Sequence, residues 1–110
     1  MKNEIDRWIE TQKDAMMAEL TELVRYRSVS RYDAENQADP FGEECSAVLE
    51  KALELAEGHG FSVKNYNNFC GTARLDVNDD PKEFGLFAHL DVVPELEGWF
   101  GEPYEVLYRD

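Results

Sequence analysis

The sequence predicts an α/β fold in which two helices pack on a mixed sheet. In two segments before residue 58, apolar residues recur at three- and four-residue steps, which is typical of amphipathic helices. Beyond them the pattern alternates with a period of two, and one later run is apolar on both faces, as in an interior strand. A length of 110 residues fits one small domain, and a hydrophobic content of 43% can supply a core.

The first helix is predicted from residue 4 to about residue 26, with one break in its apolar pattern near Gln12. Its apolar residues, which recur at three- and four-residue steps, are Ile5, Trp8, Ile9, Met16, Leu20, Leu23 and Val24. The residues that follow, up to Pro40, are mostly polar and show no periodicity. They are predicted to form a surface loop.

The second helix is predicted to begin near Gly42 or Glu43. Glu43 and Glu44 then lie in its first turn, where the positive end of the helix dipole favours acidic side chains. Its buried stripe consists of Cys45, Val48, Leu49, Ala52, Leu55 and Ala56. Residues 58–60 are Gly-His-Gly and end the helix, because glycine readily adopts the left-handed conformation found there.

Four strands are predicted after the second helix. Residues 61–66 and 70–77 alternate in polarity and are joined by a turn at Asn67 and Asn68. A further turn at residues 78–81 leads to residues 84–90, which are apolar on both faces and are expected to form an interior strand. Residues 104–108 alternate again and are predicted to form the last strand.

The charge and the cysteines restrict the class of protein. A formal net charge of −13 disfavours binding to nucleic acid or to anionic membranes, since both need clustered Lys or Arg. Cys45 and Cys70 form no Cys-x-x-Cys pair and are predicted to be free, buried thiols. The N-terminus has no apolar segment long enough for secretion or membrane insertion, so a cytoplasmic, reducing location is expected.

The most informative residues are His89 and Asp91, in the run His89-Leu90-Asp91-Val92-Val93-Pro94 at the end of the predicted interior strand. Strand side chains alternate between faces, so these two side chains share a face and lie about 6.5–7 Å apart along the backbone. Ligands bind at such strand ends in open α/β sheets. The residues alone leave two interpretations open: a metal-binding imidazole with a carboxylate behind it, or a core histidine bonded to a neighbouring acid.

This run, followed by Gly98-Trp99 and Glu102-Pro103-Tyr104, closely resembles the signature of the aminoacylase/carnosinase/glutamate carboxypeptidase family of zinc metallopeptidases. The wider context is similar to the dipeptidase branch of that family. It comprises Arg27-Ser28-Val29-Ser30, Pro40-Phe41-Gly42 and residues 52–61. The resemblance covers nearly the whole chain, which corresponds to the N-terminal part of the catalytic domain of a full-length member.

The resemblance implies a parent enzyme that uses two zinc ions to hydrolyse the peptide bond of unblocked dipeptides. His89 would be a zinc ligand, and Asp91 the active-site acid that orients its imidazole. The other family ligands, the general-base Glu and the lid or dimerisation domain would all lie beyond residue 110. The 110 residues are therefore expected to be inactive alone, since a catalytic zinc needs about three protein ligands.

The second histidine and two aromatic residues have simpler interpretations. His59, between two glycines at a helix end, is expected to interact with the C-terminal helix dipole rather than with a metal. Trp99 and Tyr104 are expected to pack beside the strand end. No Gly-x-Ser-x-Gly, His-Glu-x-x-His or phosphate-loop motif is present in the sequence.

Two positions depart from the family pattern and leave the substrate open. Ala88 stands where the family often has Gly, and Leu96 interrupts the usual approach to the acid before Trp99. An aminoacylase, a desuccinylase or a tripeptidase would share the same motif. A truncated, non-catalytic interaction module is the alternative outside enzymology. Oligomeric state is left open by the sequence.

Overall fold

The computed structural model describes residues 1–77, 79 and 82–109. The elements follow the order α1 (Lys2–Val24), α2 (Glu43–Gly58), β1 (Ser62–Tyr66) and β2 (Cys70–Arg74). Helix α2 contacts both strands, and α1 contacts α2. The predicted α/β class is confirmed, with a sheet smaller than the sequence predicted.

Helix α1 is continuous through Gln12, where the apolar pattern breaks. A polar residue interrupts the stripe but leaves the backbone hydrogen bonds of the helix intact, because those bonds are local. The first sixteen residues are exposed, including Trp8, and half-buried positions begin at Met17. Thus only the C-terminal part of α1 packs on α2. The part of the chain that the structure describes holds no helix able to span a membrane.

Helix α2 begins and ends where predicted. Gly42 precedes it with a φ of 106°, a conformation that glycine adopts without strain. Val48, which is 2% exposed, lies at the centre of the small core. After Gly58 the N–H of His59 donates to the carbonyl of Leu55 at 3.2 Å, and Gly60 takes a positive φ.

The two strands form one antiparallel hairpin in which Ser62 pairs with Arg74 and Tyr66 pairs with Cys70. Asn67 and Asn68 make the predicted turn with φ values of 54° and 60°. Asparagine tolerates this left-handed region, and two consecutive positive φ values suit the twist of a hairpin. Strand β2 ends at Arg74, three residues earlier than the predicted end at residue 77.

The strands predicted at residues 84–90 and 104–108 are wrong. Phe84, Leu86 and Phe87 are at least 85% exposed and belong to no strand. A strand is stabilised by a hydrogen-bonded partner, and the described residues offer this region one isolated parallel bridge, Val29 with Val92. The mixed sheet is therefore reduced to the β1–β2 hairpin plus this bridge.

Residues 102–105 form a turn in place of the last strand. The N–H of Glu105 donates to the carbonyl of Glu102 at 3.3 Å, and Tyr104 has a φ of 66°. A tyrosine at positive φ is incompatible with an extended strand. The turn predicted at residues 78–81 lies, except for Asp79, outside the described residues.

Both cysteines are free thiols, as predicted. Cys45 is half-buried in the first turns of α2, but Cys70 is exposed at the start of β2, so its predicted burial is wrong. Strand β2 is covered by α2 on one face alone, and its alternate residues remain in solvent.

Candidate active site

The loop after α1 is joined to the segment that carries the His-x-Asp pair. Val29 and Val92 form the parallel bridge, and the N–H of Val92 donates to the carbonyl of Ser28 at 3.0 Å. The Ser28 hydroxyl donates to the carbonyl of Leu90 at 2.7 Å, and Ser28 is 2% exposed. These contacts hold the backbone on both sides of Asp91.

His89 and Asp91 contact each other although they lie outside any strand. The Nδ1 atom of His89 lies 2.9 Å from the backbone carbonyl oxygen of Asp91 and 3.3 Å from its Oδ1 atom. The carbonyl oxygen lies at hydrogen-bond distance and the carboxylate oxygen lies beside it, so the tautomer that carries its proton on Nδ1 is favoured. The His89 side chain is 83% exposed, and no described residue hydrogen-bonds its Nε2 atom. The Nε2 lone pair is thus available, which fits a metal ligand oriented by a carboxylate.

Ser30 completes the contacts of Asp91. Its hydroxyl donates to the Oδ2 atom of Asp91 at 2.8 Å, so the two carboxylate oxygens have different partners. Cys45 lies near the same carboxylate. Burial raises the pKa of the Cys45 thiol, and the charges of Asp91 and Glu44 raise it further. The Cys45 thiol is therefore protonated at neutral pH.

The second histidine lies at a different place in the fold. At the C-terminal end of α2, the Nε2 atom of His59 is 2.6 Å from the Oε1 atom of Glu19 on α1. His59 thus links the two helices. The described residues contain no group of three or more His, Cys, Asp or Glu side chains that could hold a metal ion. His89 and Asp91 fit one ligand and its orienting acid, and further ligands would have to come from outside this part of the chain.

A second polar cluster holds residues 95–104 against the loop after α1. Glu95 accepts hydrogen bonds from the Arg27 guanidinium and, at 2.8 Å, from the Tyr104 hydroxyl. A hydrogen bond from its own backbone N–H, the Tyr104 hydroxyl and the charge of Arg27 together lower the pKa of Glu95. Burial and the Glu95 carboxylate raise the pKa of Tyr104. Tyr104 thus has a polar partner in addition to the packing predicted for it.

An open apolar groove of about 650 Å³ lies on one side of His89, between α1, α2 and residues 89–105. Its walls include Leu20, Val48 and Pro94. Trp99, at the rim, remains largely exposed. The candidate ligand therefore lies at the border between this groove and the Ser30–Asp91 contact.

Sequence reasoning named His89 and Asp91 but missed the hydrogen bond of Ser30 to Asp91 and the position of Cys45 near that carboxylate. The sequence indicates a resemblance to the dipeptidase branch in the run Arg27-Ser28-Val29-Ser30, but no contact between Ser30 and Asp91. The parallel pairing that brings Ser30 to Asp91 joins residues about sixty positions apart and has no local signal. Tertiary contact was needed to find it.

The chain is similar in sequence to several curated proteins. No protein-family model matches the chain. The chain is 33% identical over 99 residues, or 90% of its length, to "Putative dipeptidase YtjP" of Bacillus subtilis (strain 168). It is 31% identical over 97 residues, or 88% of its length, to "Beta-Ala-Xaa dipeptidase" of Lactobacillus delbrueckii subsp. lactis.

The chain is similar to proteins named as dipeptidases. This similarity supports the predicted relationship to a dipeptidase family. The chain spans about a fifth of the length of these relatives, 21% of the first and 20% of the second.

Proposed function

We propose that this chain is the N-terminal part of the catalytic domain of a zinc-dependent dipeptidase that hydrolyses unblocked dipeptides. The observation that carries the proposal is the contact between His89 and Asp91, in a chain similar over nine-tenths of its length to proteins named as dipeptidases. Two free thiols agree with a cytoplasmic location.

In this proposal His89 would hold one of two zinc ions, with its Nε2 atom free to bind it. Asp91 keeps the proton on Nδ1 and thereby fixes the ring orientation. Bound zinc polarises a carbonyl group and lowers the pKa of bound water to about 7. We expect the 110 residues alone to be inactive, because a catalytic zinc requires about three protein ligands and the described residues hold no group of three or more His, Cys, Asp or Glu side chains that could bind one. The other ligands belong to the remainder of the domain.

The metal assignment is tested by His89→Ala in the full-length protein. We expect loss of zinc and of dipeptide hydrolysis, measured by metal analysis and turnover. Asp91→Asn should lower zinc affinity or activity about 10- to 100-fold, as is usual when the partner of a metal-binding histidine is removed.

His59→Ala is the matched control, because His59 contacts Glu19 and lies outside the site. It should leave zinc content unchanged. If His89→Ala retained full zinc content and turnover, the assignment would be wrong.

The substrate class is tested by comparing kcat/KM for unblocked dipeptides and for N-acylated amino acids. We expect the unblocked dipeptides to be preferred, because both relatives compared above are named as dipeptidases. Preference for N-acylated amino acids would contradict this proposal and assign the protein to the aminoacylases.

A further inference from the structure

We propose that Ser30 is a positioning residue for the metal site: its hydroxyl holds the Asp91 carboxylate in the rotamer that keeps the His89 ring oriented. The inference rests on the function proposed above. It adds a third member to the pair found from the sequence and connects the loop after α1 to the site.

The geometry supports a relay of contacts. The Ser30 hydroxyl donates to Oδ2 of Asp91 at 2.8 Å. Oδ1 lies 3.3 Å from Nδ1 of His89, whose hydrogen-bond partner is the backbone carbonyl of Asp91 at 2.9 Å. Each carboxylate oxygen therefore faces one partner. Rotation of the carboxylate away from His89 would break the Ser30 hydrogen bond as well, so the hydroxyl opposes that rotation.

The Asp91 side chain needs such a restraint. It is 50% exposed, and an exposed carboxylate has several accessible rotamers. Among the described residues, the Ser30 hydroxyl is the side-chain donor on Oδ2. Removing it would let water replace the hydroxyl and would free the carboxylate to turn.

Ser30 itself is anchored by the backbone. It follows Val29 directly, and Val29 forms the parallel bridge with Val92 next to Asp91. The buried Ser28 hydroxyl and the N–H of Val92 add two hydrogen bonds between the same segments. Ser30 is therefore held at a fixed distance from Asp91 by contacts that do not include its own side chain.

Ser30 acts through Asp91 and is not itself a nucleophile. In a serine hydrolase the imidazole contacts the serine hydroxyl, whereas here His89 contacts the far side of the carboxylate. Because Ser30 is exposed, a threonine at this position can keep the hydroxyl without displacing the core.

The experiment compares Ser30→Ala and Ser30→Thr in the full-length protein, with Ser62→Ala as a matched control at an exposed strand position. Zinc affinity is measured by competition with a chelating dye. The ring tautomer of His89 is read in the zinc-free protein from ¹⁵N shifts at pH 8. The His89→Ala spectrum provides the assignment.

We expect Ser30→Ala to weaken zinc binding about tenfold, the lower end of the range for partners outside the ligand set. We also expect it to reduce the fraction of His89 protonated at Nδ1, because the carboxylate would then no longer support the hydrogen bond from Nδ1 to the Asp91 carbonyl. The thermal midpoint should be unchanged. Ser30→Thr should restore both values, and Ser62→Ala should match the unmodified protein.

Two outcomes overturn the inference: Ser30→Ala with unchanged zinc affinity and tautomer, or Ser30→Thr as impaired as Ser30→Ala. Failure of the proposed function is distinguishable, because zinc binding would then survive His89→Ala. The tautomer measurement still tests the role of Ser30 in that case, since it is made without zinc.

Discussion

Single hydroxyl groups hold the candidate site together. Ser28 and Ser30 lie two residues apart, yet one is buried and bonds a backbone carbonyl whereas the other is exposed and bonds a carboxylate. A buried hydroxyl left without a partner, or a carbonyl that loses one, costs free energy. Ser28 therefore stabilises the fold, whereas Ser30 orients the Asp91 carboxylate of the site.

Ser28→Ala is expected to lower the free energy of unfolding by about 1–2 kcal/mol, because the carbonyl of the half-buried Leu90 loses its hydroxyl donor. Denaturant unfolding measures the change. Ser62→Ala, at an exposed position, should change it by less than about 0.5 kcal/mol. Equal effects of the two substitutions would contradict the role of Ser28.

Glu95 gives the protein a specific sensitivity to acid. Its pKa is lowered in the folded protein by its own backbone N–H, by Tyr104 and by Arg27. A lowered folded pKa contributes stability above the unfolded value of about 4.3, and that stability is lost as the pH falls through the folded pKa. The denaturant concentration at the unfolding midpoint should therefore decrease as the pH drops below about 4.5. Glu95→Gln should make this decrease with pH smaller. Identical pH slopes for the two proteins would exclude this contribution.

At the scale of elements, the hairpin depends on one close approach to α2. A Cβ atom at Gly71 would lie 2.9 Å from the Cδ2 atom of Leu53 and 3.0 Å from the Cδ1 atom of Leu49. The absence of a side chain at Gly71 lets this part of β2 lie close to the helix.

Gly71→Val should therefore destabilise the protein by about 1–3 kcal/mol, the usual cost of overpacking a core. Thr72→Val, on the opposite and exposed face of β2, is the control and should be nearly neutral. Thermal unfolding of the two variants checks the prediction. Equal midpoints would mean that the two leucines move aside without cost.

The helices and the hairpin were predictable, whereas the later strands were not. Helix hydrogen bonds join residues four positions apart, and the Asn67–Asn68 turn joins adjacent strands, so both leave a local signal. The apolar run at residues 84–90 predicts a buried interior strand, but Phe84, Leu86 and Phe87 are exposed. Whether it forms a strand depends on partners far away in the chain, and the described residues do not supply them.

At the scale of the whole molecule, the chain is flat and open. Its extents are 47 × 42 × 19 Å and its radius of gyration is 16.7 Å, against about 13 Å for a compact domain of this length. Phe84, Leu86, Phe87 and the apolar residues in the first half of α1 remain exposed. This surface agrees with the proposal that the chain is part of a larger catalytic domain.

The 110 residues alone should bind a hydrophobic dye such as ANS and should scatter X-rays with a radius of gyration near 16.7 Å. Replacing both Phe84 and Phe87 with Ser should reduce dye binding, because both rings are exposed. As a comparison, Tyr32 is replaced in the same way. It is also an exposed aromatic residue, but its ring packs on Phe41. Highly cooperative unfolding without dye binding would contradict the proposal of an incomplete domain.

The sequence by itself determined the two helices, the hairpin and the choice of His89 and Asp91 as the residues of interest. These rest on local periodicity, on turn residues and on a short motif. Tertiary structure alone decided that the 84–90 run forms no strand and that Ser30 meets Asp91. The reason is physical: a strand partner and the hydrogen bond across the Val29–Val92 bridge join residues about sixty positions apart, and no local pattern records such a pairing.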